Sequence, residues 1–327
     1  MDNKGGASLM TKIAFVFPGQ GSQSVGMGAD LVAKEESQAF YKKADAAIGK
    51  PLSTLMLQGP QEELTLTYYA QPALLTTGVM VAERLKAEGI TPDYVAGHSL
   101  GEYSALVVAD ALTFEDGVKV VHERGLLMDE AVPAGVGAMA AILSLDAEPL
   151  AEVCERVTAT GESVQLANIN CPGQIVISGT KAGVEQACLL AKEAGAKRAI
   201  PLVVSGPFHS RLMEPAAEKF KVSLANVTIA KPAIPVVSNV TSELIETAEA
   251  IPEELIAQLS SPVLWEQNVR KLIELGVTTF VECGPGKVLA GLIKKIDRNV
   301  QVHCVYDEAT LEEVVASLKG GSTVELN

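Results

Sequence analysis

Two kinds of apolar run alternate along the chain. Short β-branched or aromatic runs that stop at Pro or Gly, such as IAFVF before Pro18 and YVA at residues 94–96, predict buried strands. Longer stretches with apolar positions three or four apart predict helices over residues 31–48, 71–88 and 114–131. The stretch 99–111 is apolar nearly all round, which predicts a central, buried helix. Strands alternating with helices imply a largely parallel α/β sheet.

The pattern changes near Pro133. VGAMAAILSL reads as a strand, DAEPLAEVCERV as a helix, and SVQLANIN and QIVISG as two strands joined by a turn at Cys171, Pro172 and Gly173. KAGVEQACLLAKEAG predicts a second helix and RAIPLVVS a last strand. The order βαββαβ is that of a ferredoxin-like split unit. After Ser205 the α/β pattern resumes with IPVVSNV, a helix from about Pro252, TTFVECGPG, a helix over LAGLIKKI and the strand QVHCVY. The expected organisation is a small domain, residues 133–206, inserted into a larger one, residues 10–132 plus 207–318. MDNKGGASLM has no apolar centre of a signal peptide and reads as an added leader over residues 1–9 ahead of a start at Met10. GGSTVELN reads as a frayed tail.

Composition narrows the function. With 48% hydrophobic and 20% charged residues in 327, the chain is globular, not disordered. A net charge of −14 argues against nonspecific binding to nucleic acid or an anionic membrane. No apolar run approaches the roughly 20 residues that cross a bilayer. The cysteines at 154, 171, 188, 283 and 304 are odd in number, scattered and without metal-ligand spacing, which fits reduced thiols in the cytoplasm.

GHSLG, residues 97–101, lies between a predicted strand and a predicted helix, as in a nucleophile elbow. Flanking glycines would relieve a strained turn, and a helix N-terminus favours developing negative charge at Ser99. The same residues also describe an ordinary serine N-cap. A nucleophile needs a base, and there are four histidines. His98 adjoins the serine and should point elsewhere; His303 sits in a strand, and His122 in a helix, where lining a cleft and simple packing explain it equally well. His209, in SGPFHSRLM, follows a strand across a Gly-Pro loop and is the candidate base. PGQGSQ, residues 18–23, lacks a phosphate-loop GK[ST] but could offer an oxyanion donor beside the N–H of Leu100. Arg124 is either a surface partner of Glu123 or Asp116 or, if directed inward, a carboxylate clamp.

Taken together, PGQGSQ, QPALLT, GHSLGEYSAL, HERGLLM, ANIN, GPFHSRLM, SNV, SPVLW and ECGPGKVL resemble, in order and over nearly the whole chain, the malonyl-CoA:acyl-carrier-protein transacylases of bacterial fatty acid synthesis. That resemblance implies an α/β-hydrolase-like domain with a ferredoxin-like insertion. It implies Ser99 as nucleophile, His209 as base and then acid, the N–H groups of Gln20 and Leu100 as oxyanion hole, and Arg124 as partner of the malonyl carboxylate. It further implies a backbone carbonyl near SPVLW, with Leu264 the candidate, to orient the histidine, and Asn170 and Asn239 in the cleft. The expected partners are malonyl-CoA and acyl carrier protein, with no metal or redox cofactor and a monomeric chain. A serine thioesterase or esterase, or a non-catalytic carrier-protein-docking module, are the competing readings. Since carrier proteins of this pathway are acidic, Lys287, Lys294, Lys295 and Arg298 are candidates for a docking patch, with Lys197, Arg198 and Arg211 as further ones.

Overall fold

A computed structural model describes residues 11–320. The proposed leader and most of the proposed tail lie outside the described residues. Ten strands form two sheets: β1 (Lys12–Phe17), β2 (Tyr94–Gly97), β3 (Gly137–Leu143), β4 (Val164–Cys171), β5 (Gln174–Thr180), β6 (Arg198–Pro201), β7 (Val236–Val237), β8 (Leu244–Ile245), β9 (Val277–Cys283) and β10 (Gln301–Val305).

The larger sheet runs β10-β9-β1-β2-β7-β8. It is parallel except for β8, which returns antiparallel to β7. Side chains alternate across it. Phe15, Phe17, Val95 and Val281 enter one core, while Ala14, Val16, Ala96 and Phe280 enter another on the opposite face. Both faces are covered by helices, which explains why these strands are apolar runs without polar alternation. The helices Trp265–Glu274 and Val288–Ile296 cover the second face, and most of the others cover the first.

The chain between β3 and β6 builds the second sheet, antiparallel and ordered β4-β5-β3-β6, with the helices Ala147–Thr158 and Lys181–Glu193 packed on it. The element order matches the sequence expectation. The second sheet is joined along β4 to the segment before the helix Trp265–Glu274: the Val263 N–H donates to the Ala167 carbonyl (2.8 Å) and the Ile169 N–H donates to the Val263 carbonyl (2.9 Å).

Several boundaries differ from expectation. β6 stops at Pro201, where the expected strand continued to Ser205; Leu202–Ser205 turn away as a loop with Val203 fully exposed. The helix expected from residue 71 is Thr67–Ala87 and takes Pro72 into its interior. A proline there cannot donate to the carbonyl four residues back. That carbonyl, of Tyr68, instead accepts from His122 Nδ1 at 2.6 Å, so His122 has a packing role. The helices Glu214–Ala225, Trp265–Glu274 and Glu308–Gly320 were not anticipated.

Candidate active site

The site begins where β2 ends. Ser99 has φ 52° and ψ −107° and is the N-cap of the helix Leu100–Val108, every residue of which is buried. A serine in this conformation stores roughly 1–3 kcal/mol of strain. The two glycines permit it. A Cβ on Gly97 would run into the Gly101 backbone, and a Cβ on Gly101 into the Phe17 carbonyl of β1. The turn is pinned by Asn239, whose Oδ1 accepts from the Ser99 N–H (2.7 Å) while its Nδ2 donates to the Gly97 carbonyl (2.6 Å).

Ser99 does not cap its helix with its side chain. Its Oγ lies 2.7 Å from His209 Nε2. His209 itself has φ 57° and is 3% exposed, on the loop that follows the exposed Leu202–Ser205 segment. Its other nitrogen, Nδ1, lies 2.8 Å from the carbonyl of Gln258. A carbonyl can only accept, so Nδ1 carries the proton and Nε2 is left to accept from the serine hydroxyl. Gln258 ends the helix Ala250–Gln258, where the last carbonyls have no partner within the helix. The orienting acceptor is therefore a helix end, with the negative pole of the dipole toward the ring. Burial, and then the positive charge of Arg124, push the imidazole down to about 3, so the ring is neutral at physiological pH. From β4, Gln165 steadies this loop: its Nε2 donates to the His209 carbonyl (3.3 Å) and its Oε1 accepts from the Arg211 N–H (2.9 Å).

Arg124, midway along the helix Phe114–Glu130, is 1% exposed and points inward. One terminal nitrogen donates to Gln71 Oε1 (2.9 Å); the other donates to Gln258 Oε1 (2.8 Å) and to Ser99 Oγ (3.1 Å). Its Nε has no partner, and its guanidinium carbon lies 5.2 Å from the Tyr103 ring centroid. A buried cation held only by neutral groups and a hydroxyl is a receptor for an anion. Beneath it lies Glu102, also 1% exposed, its carboxyl pushed up to about 8 by burial. Gln258 Nε2 donates to Glu102 Oε2 (2.5 Å), to the Ser99 carbonyl (3.0 Å) and to Asn239 Oδ1 (3.4 Å).

Ser99, His209, Arg124, Gln20 and Leu100 all line one cavity of about 190 Å³, lined also by the apolar Met128, Met139, Leu202 and Phe208. At the volume of liquid water that is room for roughly six molecules, which suits a short acyl group. Leu100 is the first residue of its helix, so its N–H has no intrahelical acceptor. Within the described residues, no group of three or more His, Cys, Asp or Glu side chains is placed to hold a metal ion, and no helix is long and apolar enough to cross a membrane.

Three expected positions need correction. Leu264 does not orient the histidine: its carbonyl accepts from the Asn268 N–H within its own helix, and Gln258 supplies the acceptor to His209. Asn239 is fully buried under the elbow and does not line the cleft. Asn170 pairs through Oδ1 with His98 Nε2 (2.8 Å), turning that ring from the serine, and it is Asn168 that faces the cavity. Sequence reasoning missed Gln258, Gln71, Glu102 and Gln165. Gln71 stands in the quoted QPALLT and Glu102 in GHSLGEYSAL, but Gln258 and Gln165 lie in ordinary amphipathic segments with no local signal.

Lys287, Lys294, Lys295 and Arg298 are all exposed on or beside the helix Val288–Ile296. Lys294 is tied to the segment before β10, its ammonium donating to the Val300 carbonyl. Lys295 donates to Gln174 Oε1 (3.1 Å) across to the second sheet, and Lys287 sits 5.4 Å from the Tyr306 ring centroid. Lys197, Arg198 and Arg211 are exposed elsewhere.

A family model for the acyl transferase domain matches residues 14–322. The malonyl CoA-acyl carrier protein transacylase of Bacillus subtilis (strain 168) is 57% identical over 311 residues, 95% of this chain and 98% of that one. Among solved structures, the enzyme of the same name from Clostridium perfringens superposes with a TM-score of 0.93 at 41% identity, covering 97% of this chain and 100% of that one. A malonyl-transacylase solved in complex with its type II polyketide acyl-carrier protein superposes with a TM-score of 0.91 at 44% identity, covering 94% and 100%. With most of its length matched at that identity, and with a strained serine, a histidine and a buried arginine on one cavity, the chain belongs to the acyl transferase family, in its malonyl CoA-acyl carrier protein transacylase branch.

Proposed function

We propose that this enzyme moves a malonyl group from CoA to the phosphopantetheine thiol of an acyl carrier protein, in fatty acid synthesis, through an ester on Ser99. The observation that carries the reading is the buried Arg124 guanidinium within 3.1 Å of the Ser99 hydroxyl. A simple esterase has no use for a buried cation beside its nucleophile.

His209 Nε2 takes the Ser99 proton as Oγ attacks the thioester carbonyl. The N–H groups of Gln20 and Leu100 receive the oxyanion. The C–S bond then breaks, and the imidazolium returns its proton to the departing CoA thiolate. In the second half, the carrier thiol gives its proton to His209, its sulfur forms the new C–S bond, and Ser99 leaves with that proton. Arg124 holds the free carboxylate throughout. Its charge has a second effect, because it is among the causes that depress His209. A bound malonyl carboxylate offsets that charge and restores basicity to the ring at the moment the base is needed. An acetyl group leaves the cation unpaired and the base weakened.

The finer architecture fits this reading. The parallel sheet with a serine turn after β2 is of α/β-hydrolase-like type, formed by residues 10–132 plus 207–318, and the βαββαβ unit, residues 133–206, is a ferredoxin-like insertion. The enzyme acts as a cytoplasmic monomer on malonyl-CoA and carrier protein, without nucleic acid, membrane or a cofactor. The exposed cations near the helix Val288–Ile296 are offered to the acidic carrier, with Lys287, Lys295 and Arg298 free of the backbone bonds that occupy Lys294.

Intact-protein mass spectrometry after mixing with malonyl-CoA tests the reading. The expected result is a malonyl adduct on Ser99, discharged by added carrier protein and absent from Ser99→Ala. Release of free malonate without carrier would assign a hydrolase instead, and absence of any adduct a binding module.

A further inference from the structure

The mechanism above leaves one buried carboxyl beneath the site unused. Glu102 stands three residues after the N-cap Ser99, and Ser-x-x-Glu is the spacing of a capping box. In that motif the serine oxygen would bond the N–H of residue 102 and the glutamate would reach back to the serine N–H. Neither bond forms. The serine oxygen has gone to His209 and Arg124, and the serine N–H to Asn239. The carboxyl released from capping accepts from Gln258 Nε2 and, at 3.3 Å, from the Asn239 N–H. A local rule is broken where the chain has another use for both side chains.

We infer that Glu102 is a positioning residue that fixes the Gln258 side-chain amide between itself and Arg124, and through it aligns the carboxylate clamp with the nucleophile; the inference rests on the acyl-transfer reading above. An amide can point either way. Here its oxygen faces the cation and its nitrogen faces the carboxyl, so the amide dipole lies along the line from Arg124 to Glu102. Reversal would set NH2 against a guanidinium and a carbonyl oxygen against two acceptor oxygens of Glu102 and Asn239. Both Glu102 oxygens accept in this arrangement, which suits the ionised form best; burial pushes the carboxyl up to about 8, so that form prevails only on the alkaline side. The charged or titratable groups that face the carboxyl are Arg124 from the helix Phe114–Glu130, Glu254 from the helix Ala250–Gln258, and Tyr103 from its own helix. Arg124 is the one cation in this set, and two hydrogen bonds through Gln258 connect it to Glu102. Protonation would turn one acceptor into a donor and favour the reversed amide, loosening Arg124.

Glu102→Gln keeps size and removes the charge and one acceptor. Loading of Ser99 from malonyl-CoA and from acetyl-CoA is followed by intact mass, beside a melting curve. At about pH 9, where the wild-type Glu102 is ionised, malonyl loading is expected to fall on the order of 10-fold in the variant, with the preference for malonyl over acetyl narrowing, because only malonyl uses the clamp. No loss, or equal losses with the two acyl groups, would overturn the inference, since damaged packing lowers both alike. If the variant does not fold, the wild-type enzyme decides. Between about pH 6 and about pH 9 the malonyl carboxylate is fully ionised, so a malonyl preference that widens with rising pH reports Glu102 losing its proton, and a flat ratio rejects the role. A wild-type enzyme that acquires no malonyl adduct would instead overturn the acyl-transfer reading itself.

Discussion

The nucleophile and the groups that serve it are built in opposite ways. Ser99 is placed mainly by five consecutive residues, two glycines that let β1, the turn and the helix Leu100–Val108 approach within contact and a helix N-terminus behind it, with Asn239 pinning the turn. The base and the clamp are assembled from four distant segments, around Gln71, Arg124, His209 and Gln258, that share no local pattern. The first half is a property of backbone sterics and tolerates almost no change. The second half is a property of how helices pack on the sheet, and its parts can be altered one at a time.

The largest effect should come from breaking the local half without touching a reactive atom. Gly101→Ala puts a methyl group against the Phe17 carbonyl. The expected cost is about 3 kcal/mol of stability and loss of Ser99 acylation, read by calorimetry and by adduct formation. Unchanged loading would mean the turn has slack enough to take a methyl group against the Phe17 carbonyl.

Arg124→Ala strikes the distributed half and should leave the fold largely in place. Malonyl loading is expected to drop about 100-fold or more, and the preference over acetyl to narrow. The pH profile supplies a second, independent reading. His209 lies well below its ordinary value, first through burial and then through Arg124. A lowered histidine is neutral, and so competent as a base, at every pH above its shifted value, and loading is lost only as pH falls through it. Removing the cation raises that value, so the acidic limb of the profile should move to higher pH in the variant. A limb that does not move would separate Arg124 from the base.

The smallest effect tests the surface. Lys295→Glu with Arg298→Glu should slow discharge to the carrier protein several-fold at low salt while leaving malonyl-CoA loading unchanged. Equal effects on the two half-reactions would remove this face from the docking surface.

The same contrast explains what could be read in the chain beforehand. The elbow, the sheet strands and the βαββαβ order were legible because each is written in adjacent residues: Gly-x-Ser-x-Gly, apolar runs ending in Pro or Gly, and alternation of strand and helix. His209 was legible by its place on a loop after a strand. Arg124 was not: the same residues in a helix suit an exposed ion pair, and only the packing of Gly125 against Thr67 and Tyr68 brings that face inward. Gln258 left no trace, because a glutamine at the end of an amphipathic helix is an ordinary surface choice. Leu264 stands in the SPVLW motif, but the carbonyl that matters is six residues earlier, at the end of the preceding helix. The resemblance drawn from the motifs supplied what the local pattern lacked.

The partner of His209 is a main-chain carbonyl, and that has a consequence for anyone who maps this enzyme by substitution. No exchange of side chain at position 258 deletes it, so a saturation scan will never register the contact that orients the base. What the scan will register there is the amide alone, its oxygen on Arg124 and its nitrogen on Glu102 and the elbow. One residue thus carries two duties of which only one is open to mutation, and an allele series at Gln258 reports on the clamp and the elbow while the carbonyl that orients the base stays in place.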